Sequence, residues 1–167
     1  IRDRLYRKKL TFNNLNGGRL TDFPVMIKLN PIRIDTSKIN DDGSDLRFIE
    51  ADDSTQLSYE IEKWNKGGDS YLWVKVPQID SASNTDFIWL YYGNPGALNA
   101  EDTAGTWDNN FVAVWHLGEE VNDEDTSGIH LDATANDNFG LQVGNDNISG
   151  FIGDGQYFDG IDDYITV

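Results

Sequence analysis

The stretch of sequence that decides the fold is residues 59–76, which read YEIEKWNKGGDSYLWVKV. Its two halves alternate apolar and polar side chains, as half-buried β-strands do. Tyr59 and Ile61 are apolar positions of the first half, and Leu72 and Val74 share one side of the second. The Lys-Gly-Gly-Asp sequence between the halves is typical of a tight turn. The stretch therefore predicts an antiparallel β-hairpin.

The same two-residue alternation extends through the first 95 residues. No window of a dozen residues sustains the 3.6-residue apolar period of a helix. Residues 87–92 are apolar on both faces, which is typical of a central strand in a two-layer sandwich. Six short strands separated by turn sequences predict an all-β fold, with a Greek-key β-sandwich. Besides the hairpin and residues 87–92, strands are predicted at residues 6–12, 23–29 and 46–49.

A polar segment of small residues at positions 97–110 predicts a linker between two domains. We place the boundary near residue 105, so that residues 1–105 form the β-sandwich domain and residues 106–167 form a second, partial β segment. This segment is short for an independent β-sandwich and is expected to be incomplete. Because Ile1 falls within the pattern of a strand, the chain is expected to be a piece of a longer protein. Strands of the second segment are predicted at residues 111–117, 139–143, 156–158 and 163–167.

The charge of the chain is divided unevenly along its 167 residues. Residues 1–76 hold all 13 Lys and Arg against 12 Asp and Glu, whereas residues 77–167 hold 17 acids and no Lys or Arg. Such an acidic stretch repels phosphates and anionic membrane surfaces, so no nucleic-acid partner is expected. No apolar run reaches the length of a membrane span, so no direct membrane insertion is expected. The chain has no Cys, which excludes cysteine chemistry.

A family resemblance is carried by four ordered motifs: DLRF (45–48), YEIEKW (59–64), WVKVP (73–77) and LYYGNP (90–95). With these motifs the chain resembles an uncharacterised β-sandwich domain of secreted and surface proteins of bacteria and archaea. That domain also precedes some biopolymer-transport channel proteins of the inner membrane. The resemblance covers roughly residues 1–100. It implies an extracellular or cell-surface location and no established activity.

Residues 113–167 resemble the start of a concanavalin A-like, laminin G-like jelly roll, which often follows that β-sandwich domain. The matching sequences are VWHL (114–117), DTSG (125–128) and GQYFDGIDDYI (155–165). A complete jelly roll would continue beyond Val167. Domains of these two kinds commonly hold Ca²⁺ and recognise sugars, and this is what the resemblance implies here.

Calcium is the cofactor that the acidic loops indicate, because hard cations prefer clustered carboxylates and carbonyl oxygens. Residues 123–128 have the opening ligand spacing of an EF-hand, but the twelfth position is Thr134 instead of a bidentate Glu. A loop site in a β-sandwich is therefore the predicted form. The alternative is a solvated acidic surface, as in proteins adapted to high salt. The candidate ligands are Asp123, Asp125, Ser127, Asp159, Asp162 and Asp163.

Carbohydrate binding is the second hypothesis, because sugars stack their apolar faces on exposed aromatic rings. Trp89 and Tyr91 are two residues apart and are expected to share one face of their strand. Trp107 lies in the predicted linker and is expected to be the most exposed candidate. The alternative for each ring is ordinary core packing. The candidate ring residues are Trp64, Trp73, Trp89, Tyr91 and Trp107.

Catalysis is not expected. Glu60 and Glu62 lie two apart on a strand, as paired carboxylates of a glycoside hydrolase do, but Asn65 stands where jelly-roll glucanases carry a third acid. His116 and His130 have no activating motif around them. We therefore predict a protein that is not an enzyme.

These observations predict a non-catalytic binding or adhesion module of a secreted or cell-surface multidomain protein, with calcium-assisted glycan binding. Its partner is then a polysaccharide or surface glycan. A second hypothesis is structural: neighbouring copies complete an unfinished jelly roll by β-strand exchange and build an extracellular fibre or sheath. A glycoside hydrolase is the remote alternative.

Overall fold

The structure is a computed structural model that describes residues 5–107, 110–121 and 128–167. It is nearly all β, which confirms the predicted fold class. The chain divides into two compact units, Ile1–Thr106 and Trp107–Val167. Within the described ranges, no helix is long and apolar enough to span a membrane.

The strands of the first unit are β1 (Tyr6–Thr11), β2 (Leu20–Leu29), β3 (Arg47–Ile49), β4 (Tyr59–Lys63), β5 (Ser70–Ile79) and β6 (Phe87–Tyr92). Those described in the second unit are β7 (Ile129–His130), β8 (Gly140–Val143), β9 (Asp146–Ser149), β10 (Asp154–Tyr157) and β11 (Tyr164–Thr166). A 3₁₀ turn at Thr36–Lys38 and a four-residue helix, α1 (Thr103–Thr106), are the helical segments of the described residues.

The first unit is a sandwich of two three-stranded antiparallel sheets. The strand order is β1-β6-β3 in one sheet, called here the β6 sheet, and β2-β5-β4 in the other, the β5 sheet. The predicted hairpin of residues 59–76 is confirmed as the β4–β5 pair, and residues 87–92 form the central strand of their sheet. The register of β4 shifts between Ile61 and Lys63, so Glu62 is the extra residue of a β-bulge.

The core lies between the inward faces of these two sheets. Burial alternates along residues 70–76 of β5 and 87–90 of β6 because successive side chains of a strand point to opposite faces. Tyr59 is fully buried, packs its ring 5.2 Å from that of Phe48, and donates a 2.9 Å hydrogen bond to the Leu46 carbonyl. Burial raises the pKa of Tyr59 to about 12. The buried core residues are Leu29, Ile34, Ile39, Leu46, Phe48, Leu57, Tyr59, Leu72, Val74, Val76, Ile79, Ile88, Leu90 and Tyr92.

Two motif residues fasten the β3 end of the sandwich. Asp45 is fully buried, and its carboxylate accepts backbone N–H bonds from Asn40 at 2.8 Å, Gly93 at 2.7 Å and Asn94 at 3.2 Å. Arg47 is also buried and donates to the carbonyls of Ser44 and Leu46 at 2.8 and 2.5 Å. The DLRF motif therefore holds the GNP turn that ends β6.

The four outer edge strands of the two sheets differ in whether other backbone segments form hydrogen bonds with them. The edge of β3 bonds to the following loop, where Leu57 N donates to Phe48 O at 2.8 Å. The edge of β4 bonds to the segment before α1, where Asp102 N donates to Tyr59 O at 2.9 Å. Residues 5–107 contribute no backbone–backbone hydrogen bond to the outer edges of β1 and β2. Among the residues that the structure describes, these two edges have no strand partner, and we call them the open edges.

The second unit has a three-stranded antiparallel sheet of order β11-β8-β7 and a separate β9–β10 hairpin. The predicted strands 139–143, 156–158 and 163–167 overlap β8, β10 and β11. The predicted strand at residues 111–117 is wrong, since within the described part of the chain this segment forms no strand and makes the isolated bridge of Trp115 with Asp132.

Polar side chains form hydrogen bonds with backbone groups of residues 111–117 that strand pairing would otherwise use. The Asn136 amide donates to Phe111 O and Val112 O at 3.0 Å, and Val114 N donates to the Asp132 carboxylate at 2.9 Å. Short polar side chains that bond the backbone offer it an alternative to a sheet.

Candidate functional site

Three carboxylates of the second unit converge in the loop between β10 and β11. Asp159, Asp162 and Asp163 each offer an oxygen, and these oxygens lie within 4.8 Å of one another. The loop is held by its own bonds: Asp163 accepts from Asp159 N at 2.7 Å, and Asp159 accepts from Ile161 N at 2.8 Å. We call these three residues the acidic loop cluster. Its donors are all hard oxygens, which suit Ca²⁺ rather than a softer metal.

A glycine brings a second loop against this cluster. Gly144 follows β8 with φ +80°, and a Cβ at this position would lie 2.2 Å from Asp163 Oδ1. The close approach therefore requires glycine. The other predicted calcium ligands, Asp123, Asp125 and Ser127, lie outside the described residues.

Trp89 and Tyr91 share the outer face of the β6 sheet, as predicted, but the Arg7 guanidinium and the Asp53 carboxylate contact them. The Arg7 guanidinium carbon lies 4.2 Å from the Trp89 ring centre. The Tyr91 hydroxyl accepts from Arg7 at 3.1 Å and donates to Asp53. The Tyr91 hydroxyl, and after it Asp53, raise the pKa of Arg7. Tyr91 is buried, and Trp89 is half-buried beneath Arg7.

Trp73 lies half-buried on the outer face of the β5 sheet. Its indole N–H donates to Glu62 Oε2 at 2.6 Å, and Met26 and Glu60 are its register partners on the two neighbouring strands. Because Glu62 is a bulged residue, the regular alternation expected to align Glu60 with Glu62 is interrupted. Glu62 instead orients the Trp73 ring.

The two remaining ring candidates pack against protein. Trp64 packs against the core of the first unit, and its indole N–H donates to Asp41 O at 2.9 Å. Trp107 was expected to be the most exposed ring, and this is wrong: it is only 8% exposed. The rings of Phe111 and His116 lie 5.3 and 5.7 Å from the Trp107 ring and cover it.

The second histidine belongs to a buried polar network that the sequence did not predict. His130 is fully buried, with Nδ1 2.9 Å from Glu119 Oε2 and Nε2 3.0 Å from Asn145 Nδ2. Asn145 also donates to Gln156 Oε1 at 2.9 Å, and Gln156 donates to Leu117 O and Glu119 O at 3.0 Å. The network ties the base of the β9–β10 hairpin to the rest of the second unit.

A groove of about 400 Å³ between the open edges of β1 and β2 was also missed. We call it the edge groove. Its apolar lining includes Leu10, Phe12, Val25 and Ile27, which pack against the core from its margin. Its cations are Lys8, Lys9, Lys28 and Arg33. The concentration of Lys and Arg in residues 1–76 is the sequence signal for this basic surface, but only the fold brings β1 and β2 to one side.

Comparison with known proteins identifies a family. A model described as a domain of unknown function, DUF2341, matches residues 42–139. No curated protein matches the chain, and no solved structure does. The match includes all four motifs and more than half of the chain, and it extends past residue 106 into the second unit, beyond the 1–100 range of the resemblance. The chain therefore belongs to the DUF2341 family of domains of unknown function.

Proposed function

We propose that the chain is a non-catalytic, calcium-assisted binding module of a secreted or cell-surface protein. The observation that carries the proposal is the acidic loop cluster, whose oxygens lie within 4.8 Å of one another. Residues 77–167 contain no Lys or Arg, so no cation of that stretch neutralises the cluster.

Electrostatics favours a bound cation at this loop. Two like charges about 4 Å apart repel by roughly 1 kcal/mol in water and by more near a protein surface. Ca²⁺ takes six to eight oxygen ligands in flexible geometry, and surface loops commonly supply them from carboxylates and backbone carbonyls. Asp159, Asp162 and Asp163 would supply the carboxylate oxygens, and a divalent ion would replace their repulsion by attraction.

The similarity of residues 113–167 to a jelly roll supports the same proposal, since the acidic loop cluster lies within the GQYFDGIDDYI sequence (155–165) that carries this similarity. The ion would then order the loop between β10 and β11. A binding surface built on that loop would depend on calcium.

A glycan is the ligand that we propose for this module. Trp73 is the candidate ring best placed for stacking, because it lies on the outer face of the β5 sheet and its orientation is fixed by Glu62. Trp89 is less suited because Arg7 already covers it.

Thermal unfolding with Ca²⁺, Mg²⁺ or chelator at constant ionic strength tests the calcium site. A ligand at a hundred times its dissociation constant stabilises the folded state by about 2.7 kcal/mol, a shift of several degrees in Tm. The shift should require Ca²⁺ and vanish in Asp162→Asn. Asp137→Asn, which removes an exposed acid elsewhere in the second unit, should retain it. Equal Tm values with Ca²⁺, Mg²⁺ and chelator in all three proteins contradict the proposal.

Calorimetric titration with a panel of soluble polysaccharides, with and without Ca²⁺, tests the ligand. Trp73→Ala should abolish binding, while Phe23→Ala, which removes an exposed ring from β2, should leave it intact. Equal binding by both variants would exclude Trp73 as the stacking ring.

A further inference from the structure

The β9–β10 hairpin of the second unit presents apolar side chains to solvent. Phe151, in its four-residue loop, is 98% exposed, and Ile148 and Tyr157 are half exposed. All four residues of β9 are exposed. A contiguous exposed apolar patch on a protein surface marks an interaction site more often than isolated exposed residues do.

The base of this hairpin is fixed, unlike an unstructured apolar loop. Asn145 precedes β9 and bonds to both His130 and Gln156, while Gln156 bonds to the carbonyls of Leu117 and Glu119. These hydrogen bonds are buried or partly buried, and they position the base of the hairpin. The apolar tip is therefore held out in a defined place, which reduces the entropy lost on docking.

The edge groove of the first unit has the complementary properties. It combines apolar side chains, such as Leu10 and Val25, with Lys8 and Lys9 on β1, Lys28 on β2 and Arg33 beyond the end of β2, and Lys28 is paired with Asp69 at 2.7 Å. A six-residue strand such as β1 spans about 20 Å and a four-residue strand such as β9 about 13 Å, so the hairpin fits along the groove.

The Lys and Arg side chains of the edge groove favour an acidic partner over a basic one. Lysines on an edge strand prevent it from pairing with a like-charged edge, so β1 and β2 of two copies repel each other. The hairpin carries Asp146 and Asp154 and belongs to a stretch of 91 residues without Lys or Arg, residues 77–167. A second copy of this chain thus offers both the apolar tip and the opposite charge that the groove requires.

We propose that the β9–β10 hairpin of one copy docks in the edge groove of the next, with Phe151 against the apolar lining and its acids near Lys8 and Arg33. This interface joins two different surfaces, so a docked pair keeps one free groove on one copy and one free hairpin on the other. Repetition of such a contact produces open chains or closed rings.

Sedimentation velocity of the whole chain, from micromolar to millimolar concentration at low salt, measures the assembly. We expect oligomers that grow with concentration. Phe151→Ser should weaken association at least tenfold, and so should Lys8→Glu combined with Arg33→Glu. The matched controls are Ile161→Ser, at an exposed residue of the same unit, and Lys38→Glu combined with Arg19→Glu, outside the groove. Circular dichroism checks that every variant is folded.

Mixing the two defective variants distinguishes this geometry from a symmetric dimer. The Phe151 variant keeps its groove and the groove variant keeps its hairpin, so an equimolar mixture should form heterodimers and no larger species. A wild-type chain that stays monomeric at millimolar concentration, or a mixture that stays monomeric while the wild type assembles, overturns the proposal. Equal association of the wild type and both defective variants overturns it as well.

Discussion

Replacement of Asp45 by Asn should destabilise the first unit although the two side chains have the same shape. In the native chain the Asp45 carboxylate accepts from Asn40 N on one oxygen and from Gly93 N and Asn94 N on the other. An amide keeps one acceptor and turns the second into a donor. At least one of these backbone N–H groups then faces another N–H group inside the protein.

The magnitude follows from that lost acceptor. A buried donor without a partner costs about 1–3 kcal/mol, and a bond to a charged group contributes about 1.5–3 kcal/mol. We therefore expect Asp45→Asn to lower the free energy of unfolding by about 2 kcal/mol. For a unit of roughly 100 residues this lowers Tm by about 10 °C.

Urea titration followed by tryptophan fluorescence measures the effect, provided that the slope of the transition is unchanged. Asp41→Asn is the matched control, since the Asp41 side chain is 97% exposed and pairs only at the surface with Lys66. That change should stay below about 1 kcal/mol. Equal stabilities of Asp45→Asn and the wild type would show that the hydrogen bonds between the DLRF and LYYGNP motifs do not stabilise the first unit.

Three further changes test other parts of the structure. Tyr59→Phe removes the bond to Leu46 O and should lower the free energy of unfolding in urea by about 1–2 kcal/mol, and an unchanged midpoint would be inconsistent with that bond. Gly144→Ala introduces a Cβ at positive φ beside Asp163, so it should lower the free energy of unfolding by about 1–2 kcal/mol and weaken Ca²⁺ affinity. Calorimetry that finds the wild-type Ca²⁺ affinity would show that the acidic loop cluster does not depend on Gly144. Burial acts to raise the pKa of Asp132, but three backbone N–H bonds and the Thr134 hydroxyl lower it overall. A lowered carboxyl pKa stabilises the fold above the unfolded-state value, so thermal scans should show this contribution lost as the pH falls below about 4, and the same Tm at pH 7 and pH 2 would contradict it.

The strands of the first unit could be predicted because their burial follows a local two-residue period. Residues 87–92 are the clearest case, since their apolar character on both faces matches the central position of β6. The segment 111–117 has a similar local pattern but forms no strand. Its backbone partners come from Asn136 and Asp132, some 20 residues away, and local periodicity carries no information about such bonds.

The candidate sites also differ in whether local sequence or long-range contacts determine them. Asp159, Asp162 and Asp163 could be predicted as neighbours because they lie within five residues of one another. The environment of Trp107 could not be predicted from a polar linker, because the rings of Phe111 and His116 fold back over it. The edge groove depends on two strands from different sheets, and only the sheet order reveals it.

Direct titration of the whole chain with Ca²⁺ tests the central claim. We predict one saturable calcium site per chain, lost in Asp162→Asn and retained in Asp137→Asn, with little competition from Mg²⁺. Absence of saturable binding at millimolar Ca²⁺, or equal binding by the wild type and Asp162→Asn, would contradict the claim that the acidic loop cluster holds the ion.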